Sequence, residues 1–154
     1  MSEITRDVVT QQLLDILREG MEGSPHPWSY FTDPGAESSL LGVLDKLDAE
    51  QASQPRGGTS IAAQVHHVTF ALEASAGWIR GERKSLDWAQ SWNVSQVDPE
   101  GWQQLLSQLK SAYADLRQAI ETSPLESAEE VGGAIGAVAH LAYHLGAIRQ
   151  KVRL

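Results

Sequence analysis

The chain has no cysteine among its 154 residues. That excludes disulfides, cysteine nucleophiles and thiolate metal sites, and leaves histidine and carboxylates as the strong ligand types. It has no run approaching ~18 consecutive apolar residues, so no transmembrane helix is expected. Met1-Ser2-Glu3-Ile4-Thr5-Arg6 lacks the basic and then apolar regions of a secretory signal. A cytoplasmic location is the resulting expectation. Basic clusters are scarce. The one concentration, Arg80 to Lys84, is short and interrupted by Glu82, and the formal net charge is −8. Neither nucleic acid nor an anionic membrane attracts such a surface, so neither is an expected partner. There is no strand candidate longer than four residues, no internal repeat and no low-complexity tail.

What is present is helical. A length of 154 residues with 42% hydrophobic content suits one compact domain, residues 1–154, with a full core. Residues 3–20 read as a first helix, with Ser2 as its cap and Ile4, Val8, Ile16 and Leu17 on its apolar stripe. Ser24 to Gly35 is a loop rich in proline and aromatics, expected to be packed. Ala36 to Ala52 reads as a shorter helical stretch on Leu40, Leu44 and Leu47, ended by Gln54-Pro55-Arg56-Gly57-Gly58. Thr59 or Ser60 then caps a long helix to about Arg80, with Ile61, Val65, Val68, Leu72 and Ser75 as its core stripe. Arg80 to Val97 is irregular and carries Trp88 and Trp92. Asp98-Pro99 opens the most periodic helix, in which Trp102, Leu105, Leu106, Leu109, Tyr113, Leu116 and Ile120 keep a 3/4 spacing. Ser123-Pro124 ends it. A last helix runs from about Ser127 to Arg153, small-residued in its first half. Four long helices with short to medium connections predict an all-α four-helix bundle, with an extra short helix between the first and second.

The chemistry concentrates in the histidines. Four of the five lie in two short windows, His66-His67 and His140 to His144. His140 and His144 are four apart on one helix, so both imidazoles share a face. Imidazole is the commonest protein ligand for a transition metal. Leu141 stands where a zincin carries its general-base glutamate, which removes metalloprotease chemistry of that type. At about 100° per residue, His67 lies on a line with Gln64, Ala71, Ala74 and Trp78 that borders the core of its helix. His66 lies further round, with Ala62, Ala63, Phe70 and Glu73. His67 is therefore better placed to reach a neighbouring helix, and His66 reads as a surface or supporting residue. Asp33, Tyr143, Arg149 and Arg153 are weaker candidates for a role at such a site. Glu73 is expected on a solvated face. Trp28, Tyr30, Phe31 and Trp78 are candidates for a pocket wall.

The windows Thr59-Ser-Ile-Ala-Ala-Gln-Val-His-His67-Val and His140-Leu-Ala-Tyr-His144-Leu-Gly-Ala-Ile-Arg149-Gln resemble the two signature regions of the DinB/YfiT-like superfamily. The resemblance extends to Leu44-Asp-Lys-Leu-Asp-Ala-Glu-Gln-Ala, to the Trp-rich connection and to Asp98-Pro-Glu-Gly-Trp102. It implies a bundle of up-down-down-up connectivity. It also implies a divalent metal held by His67, His140 and His144, with water in the remaining positions. Three neutral histidines leave a 2+ charge uncompensated and a coordination position open, which is the catalytic pattern. The functions implied are a metal-dependent hydrolase or an S-transferase using a low-molecular-weight thiol; the alternative is a noncatalytic metal-binding or stress-response bundle acting through protein partners. Zinc and nickel suit three histidines best, and iron and copper are also accepted. A small-molecule substrate and a homodimer complete the expectations.

Overall fold

The computed structural model describes residues 4–153. Among these there is no strand, only an isolated bridge between Arg56 and Thr59. The α-helices are α1 (Arg6–Glu22), α2 (Leu40–Leu44), α3 (Ala49–Ser53), α4 (Ile61–Ile79), α5 (Pro99–Thr122) and α6 (Ala128–Arg153). Short 3-10 turns at Ala36–Ser38 and Trp88–Trp92 interrupt the connections. α4 packs against α5 and α6, and α1 packs against the other sides of the same two helices. Each long helix thus has two long neighbours around a shared apolar interior.

Local chemistry accounts for most boundaries. Ser60 caps α4 by accepting the Ala63 amide, and Asp98 caps α5 by accepting the Gly101 amide ahead of Pro99. All seven periodic residues from Trp102 to Ile120 are buried. Trp102 also donates its indole N–H to the Leu47 carbonyl at 3.0 Å, which fixes the start of α5 against the segment between α2 and α3.

Three expectations change. Ala36 to Ala52 is not one helix. Asp48 forms a capping box with Gln51, taking over the backbone donors that a continuing helix would use, so the chain stops at Leu44 and restarts at Ala49. The first helix starts at Arg6 with Thr5 as its cap; Ser2 lies outside the described residues. Its stripe also differs. Leu13, Leu17 and Met21 face the core, whereas Val8 is 52% exposed and Ile4 precedes the helix in the open. Val8 stands about 180° round the helix from Leu17, so both could not face inward.

The loop from Ser24 to Gly35 is fastened by one buried carboxylate. Glu19, 1% exposed, accepts the backbone N–H groups of Tyr30, Phe31 and Thr32 at 2.7–2.8 Å and the Thr32 hydroxyl at 3.1 Å. Burial alone would raise its pKa, but the four hydrogen bonds together hold it below the ordinary value. The backbone is anchored, and the tip of the Phe31 ring packs against Gly20 beside Leu141, whereas Trp28 and Tyr30 are about half exposed, so the loop is packed only in part. His26 stacks on Trp28, and Trp28 meets Tyr30 edge-on.

The Gly57-Gly58 turn, at φ +61 and +97, uses backbone that side chains disfavour. It is bound to the far end of the chain. Buried Lys151 donates its ammonium to the Arg56 and Gly57 carbonyls, and Arg56 donates back to the Lys151 carbonyl at 3.3 Å. By length and composition α6 is apolar enough to cross a membrane, its small residues raising the average where no unbroken apolar run exists. In the fold it packs against α4 and α1 through Ala134, Ala137, Leu141, Leu145 and Ile148.

Candidate metal centre

α4 and α6 lie side by side, and their seam carries the histidines. His140 and His144 lie one turn apart, their rings tilted, with centroids 4.4 Å from each other. His67 reaches across from α4, its ring 4.6 Å from His144 and 5.0 Å from His140. One ring nitrogen from each lies within 4.8 Å of the others, an arrangement able to hold a metal ion. No further histidine, aspartate or glutamate among the described residues joins the cluster. His67 and His144 are buried and His140 is half-buried.

The surrounding hydrogen bonds decide which nitrogen of each buried ring is free. The Ser91 hydroxyl donates to the Trp88 carbonyl at 2.7 Å, so it can only accept from His67 Nδ1, also at 2.7 Å. His67 therefore carries its proton on Nδ1 and turns the Nε2 lone pair inward. Gln64 donates its amide to Thr59 Oγ1 at 2.9 Å, which orients its carbonyl oxygen toward His144 Nδ1 at 2.7 Å. His144 is likewise Nδ1-protonated with Nε2 free. The Nε2 atoms of His67 and His140 stand 3.1 Å apart. Two imidazole nitrogens on one tetrahedral zinc at 2.0–2.1 Å stand about 3.3–3.4 Å apart, so the cluster is spaced for an ion with minor adjustment. In its absence the His140 Nε2–H can bridge to the His67 lone pair.

Electrostatics agree with this donor set. Burial first, and then the positive charge of His140 and His67, pushes His144 down to about 4. Burial lowers His67, with His140 and His66 adding to it, and burial lowers His140. All three are neutral near pH 7, the state that ligates. Trp92 stacks on His67 at 4.0 Å, nearly parallel, and covers one side.

His66 stays outside the cluster. Its Nδ1 donates to the Ser91 carbonyl at 2.7 Å, so the doubled histidine grips the same turn twice, once at the backbone and once at the hydroxyl. Asp33 does not approach the histidines; it pairs with Arg149 at 2.5 Å, which commits both. Arg153 is exposed near the end of α6. Tyr143 is 74% exposed and meets the His144 ring edge-on at 5.1 Å. Trp78 lines a groove beside the centre, together with Glu73. Sequence reasoning missed Ser91, Trp92 and the role of Gln64. Gln64 was legible, since it shares the His67 line of α4. Ser91 and Trp92 carried no signal beyond their place in a Trp-rich connection.

A profile of the DinB superfamily matches residues 34–148, three-quarters of the chain and all three clustered histidines. The chain belongs to the DinB superfamily. Comparison with curated proteins and with solved structures gives no significant match. In this DinB chain the matched region begins after α1 and ends at Ile148, so it spans both helices that build the centre.

Proposed function

We propose that this DinB-superfamily protein is a metal-dependent enzyme, either a hydrolase or a low-molecular-weight-thiol S-transferase, with His67, His140 and His144 as ligands of one divalent ion. The observation that carries the reading is the pair of fixed tautomers. Ser91 and Gln64 each occupy an Nδ1, so two lone pairs converge where a third imidazole already stands. Outer hydrogen bonds of this kind orient ligating histidines and fix their tautomer. When bound, a divalent ion supplies Lewis-acid chemistry and lowers the pKa of a water or thiol presented to it. The chain's own contributions are complementary. Ser91 and Gln64 hold the rings, burial keeps them neutral, and Trp92 shields His67 from water on one side. His140, only half-buried, is the most accessible of the three rings. Zinc or nickel is the favoured ion, with iron or copper as further candidates for an all-imidazole set.

The same reading takes residues 1–154 as one DinB-like domain of up-down-down-up connectivity, supported by the pairing of α4 with α5 and α6 and of α1 with the same two. A cytoplasmic homodimer is proposed on the family resemblance, and sedimentation tests the dimer. The burial of His67 and His144 favours a second reading, a noncatalytic metal-binding or stress-response bundle acting through protein partners.

Metal analysis of the purified protein and four variants tests the proposal. Wild type should carry one ion per chain, with nitrogen distances of about 2.0–2.2 Å in a crystal of the loaded form. His67→Ala, His140→Ala and His144→Ala should lose it, and His66→Ala should keep it. Wild type without metal refutes the reading. Loss in His66→Ala with retention in His67→Ala moves the third ligand by one residue. A panel of physiological thiols and electrophiles then separates transferase from hydrolase, and inertness of the loaded protein throughout favours the second reading.

A further inference from the structure

A groove runs beside the metal centre, between α4, the connection after it and the start of α6. Its walls are Phe70, Ala74, Trp78, Leu86 and Trp88, with Gly133 of α6 at one end. Two openings share Ala74, Trp78, Lys84 and Leu86 and so adjoin along these residues, Glu73 lining the first and Trp88 the second. Their cavity volumes are about 200 and 290 Å³, room for a small ligand. Trp88 stands between the groove and the centre. Its ring lies 5.2 Å from Phe70 on the groove side and 6.2 Å from His67 on the other.

The apolar wall is held in place. A Cβ at Gly133 would stand 2.8 Å from Trp78 Cδ1, so the missing side chain is what lets the indole lie against α6. Trp78 donates its indole N–H to the Glu129 carbonyl at 3.2 Å. The Arg83 guanidinium covers the indole at 3.9 Å and donates to the Trp78 carbonyl at 2.8 Å.

Most charges around the groove already have partners. Lys84 is bound to Glu82 at 2.8 Å, and Arg80 is bound to Asp115 through both carboxylate oxygens at 2.6 and 2.9 Å. Glu73 has no ion-pair or hydrogen-bond partner among the described residues, although it lines the groove next to Phe70 and Ala74. Glu73 is exposed, on the solvated face expected; partial desolvation, reinforced by Asp115 and opposed by His66, raises its pKa. An anion entering here would meet Glu73; Glu82 is already matched by Lys84, and the Arg83 guanidinium is engaged by the Trp78 ring and two backbone carbonyls. An organic cation would find a carboxylate and aromatic surfaces, both of which attract it.

We propose that this groove binds a small organic amine, its ammonium beside Glu73 and its apolar body between Trp78, Leu86 and Trp88. The binding stands independently of the metal reading above. The test is calorimetric titration of the full chain, metal-free and zinc-loaded, with 2-phenylethylamine, and with 2-phenylethanol and 3-phenylpropionate as its neutral and anionic counterparts. The amine should bind with one-to-one stoichiometry, about tenfold or more tighter than either counterpart. Glu73→Gln should erase that preference and leave 2-phenylethanol unchanged. Lys84→Ala, which releases Glu82, should tighten the amine. Ala74→Leu should block all three probes, and circular dichroism of each variant confirms its fold. Equal affinity for the three probes, indifference to Glu73→Gln, or binding undisturbed by Ala74→Leu overturns the proposal. A chain that shows this amine pattern but binds no metal sinks the metal reading alone. A chain that binds metal at the histidines without the amine pattern sinks the groove alone.

Discussion

Ser91→Ala removes one oxygen from the protein and should weaken metal binding with little effect on the metal-free fold. The Ser91 hydroxyl gives its hydrogen to the Trp88 carbonyl and accepts the His67 Nδ1 proton. Without it, a buried Nδ1–H has no acceptor, a cost of about 1–3 kcal/mol. The metal-free protein can avoid that cost. His67 can move its proton to Nε2 and donate to His140 Nε2, 3.1 Å away. The loaded protein cannot, because Nε2 is then the ligand atom. The penalty therefore falls on the bound state, and affinity should drop about 10–100-fold, the usual range for losing an outer partner of a ligating histidine. Competition for zinc against a chromophoric chelator at pH 7.5 measures it, with a denaturant titration of the metal-free protein beside it. An affinity within about twofold of wild type would refute the tautomer reasoning, given that a tenfold change corresponds to only ~1.4 kcal/mol. A loss of metal-free stability equal to the loss of binding energy would make Ser91 a fold residue instead. His66→Ala, which frees only the Ser91 carbonyl, should weaken zinc less than Ser91→Ala while keeping one ion per chain.

Leu109→Ala and Leu116→Ala, at fully buried positions of α5, should each lower stability by ~2–5 kcal/mol, and unchanged denaturant midpoints would place the stripe on the wrong face. Glu19→Ala strips the acceptor from three backbone amides and should cost about 3–5 kcal/mol while opening the Ser24–Gly35 loop to limited proteolysis; an uncut loop refutes it. The metal-free protein should lose stability on acidification. The folded-state pKa of His144, about 4, lies below its ordinary 6.5, so the unfolded chain takes up protons first as pH falls. Stability should be level above about 6.5 and decline toward pH 4, by about 3 kcal/mol from this residue. Glu19, whose folded pKa is also depressed, adds its loss only below about 4.5, so the two windows separate. A flat profile between pH 7 and 4.5, or one that His144→Ala leaves unchanged, contradicts this.

The sequence disclosed whatever one helix decides by itself. The α5 stripe was legible because seven large residues repeat without a miss, and the caps at Ser60 and Asp98 were legible because their side chains act within three residues. The α1 stripe was misread where Val8 and Leu17 compete for opposite faces and only the neighbours choose. The break between α2 and α3 lay in Asp48 and Gln51, a signal that three periodic leucines obscured. At the site, the preference for His67 over His66 followed from helix geometry. The grip of both on Ser91 did not, because it depends on how a connection 24 or 25 residues away folds back. Trp92 stacking and the Gly133 approach to Trp78 were hidden for the same reason.

The reciprocal bonds between Arg56 and Lys151 act as a register stop for the last helix. α6 presents a run of small residues to its surroundings, and such a surface offers few knobs to prevent sliding along α4. A slip of one turn would carry His140 and His144 about 5.4 Å from their places opposite His67. It would also pull Lys151 off the Arg56 and Gly57 carbonyls and Arg56 off the backbone of α6. Two residues separated by 95 positions, neither touching the histidines, thereby help set which turn of α6 faces His67. Loosening that fastening would be felt first as a misaligned centre rather than as an unfolded protein.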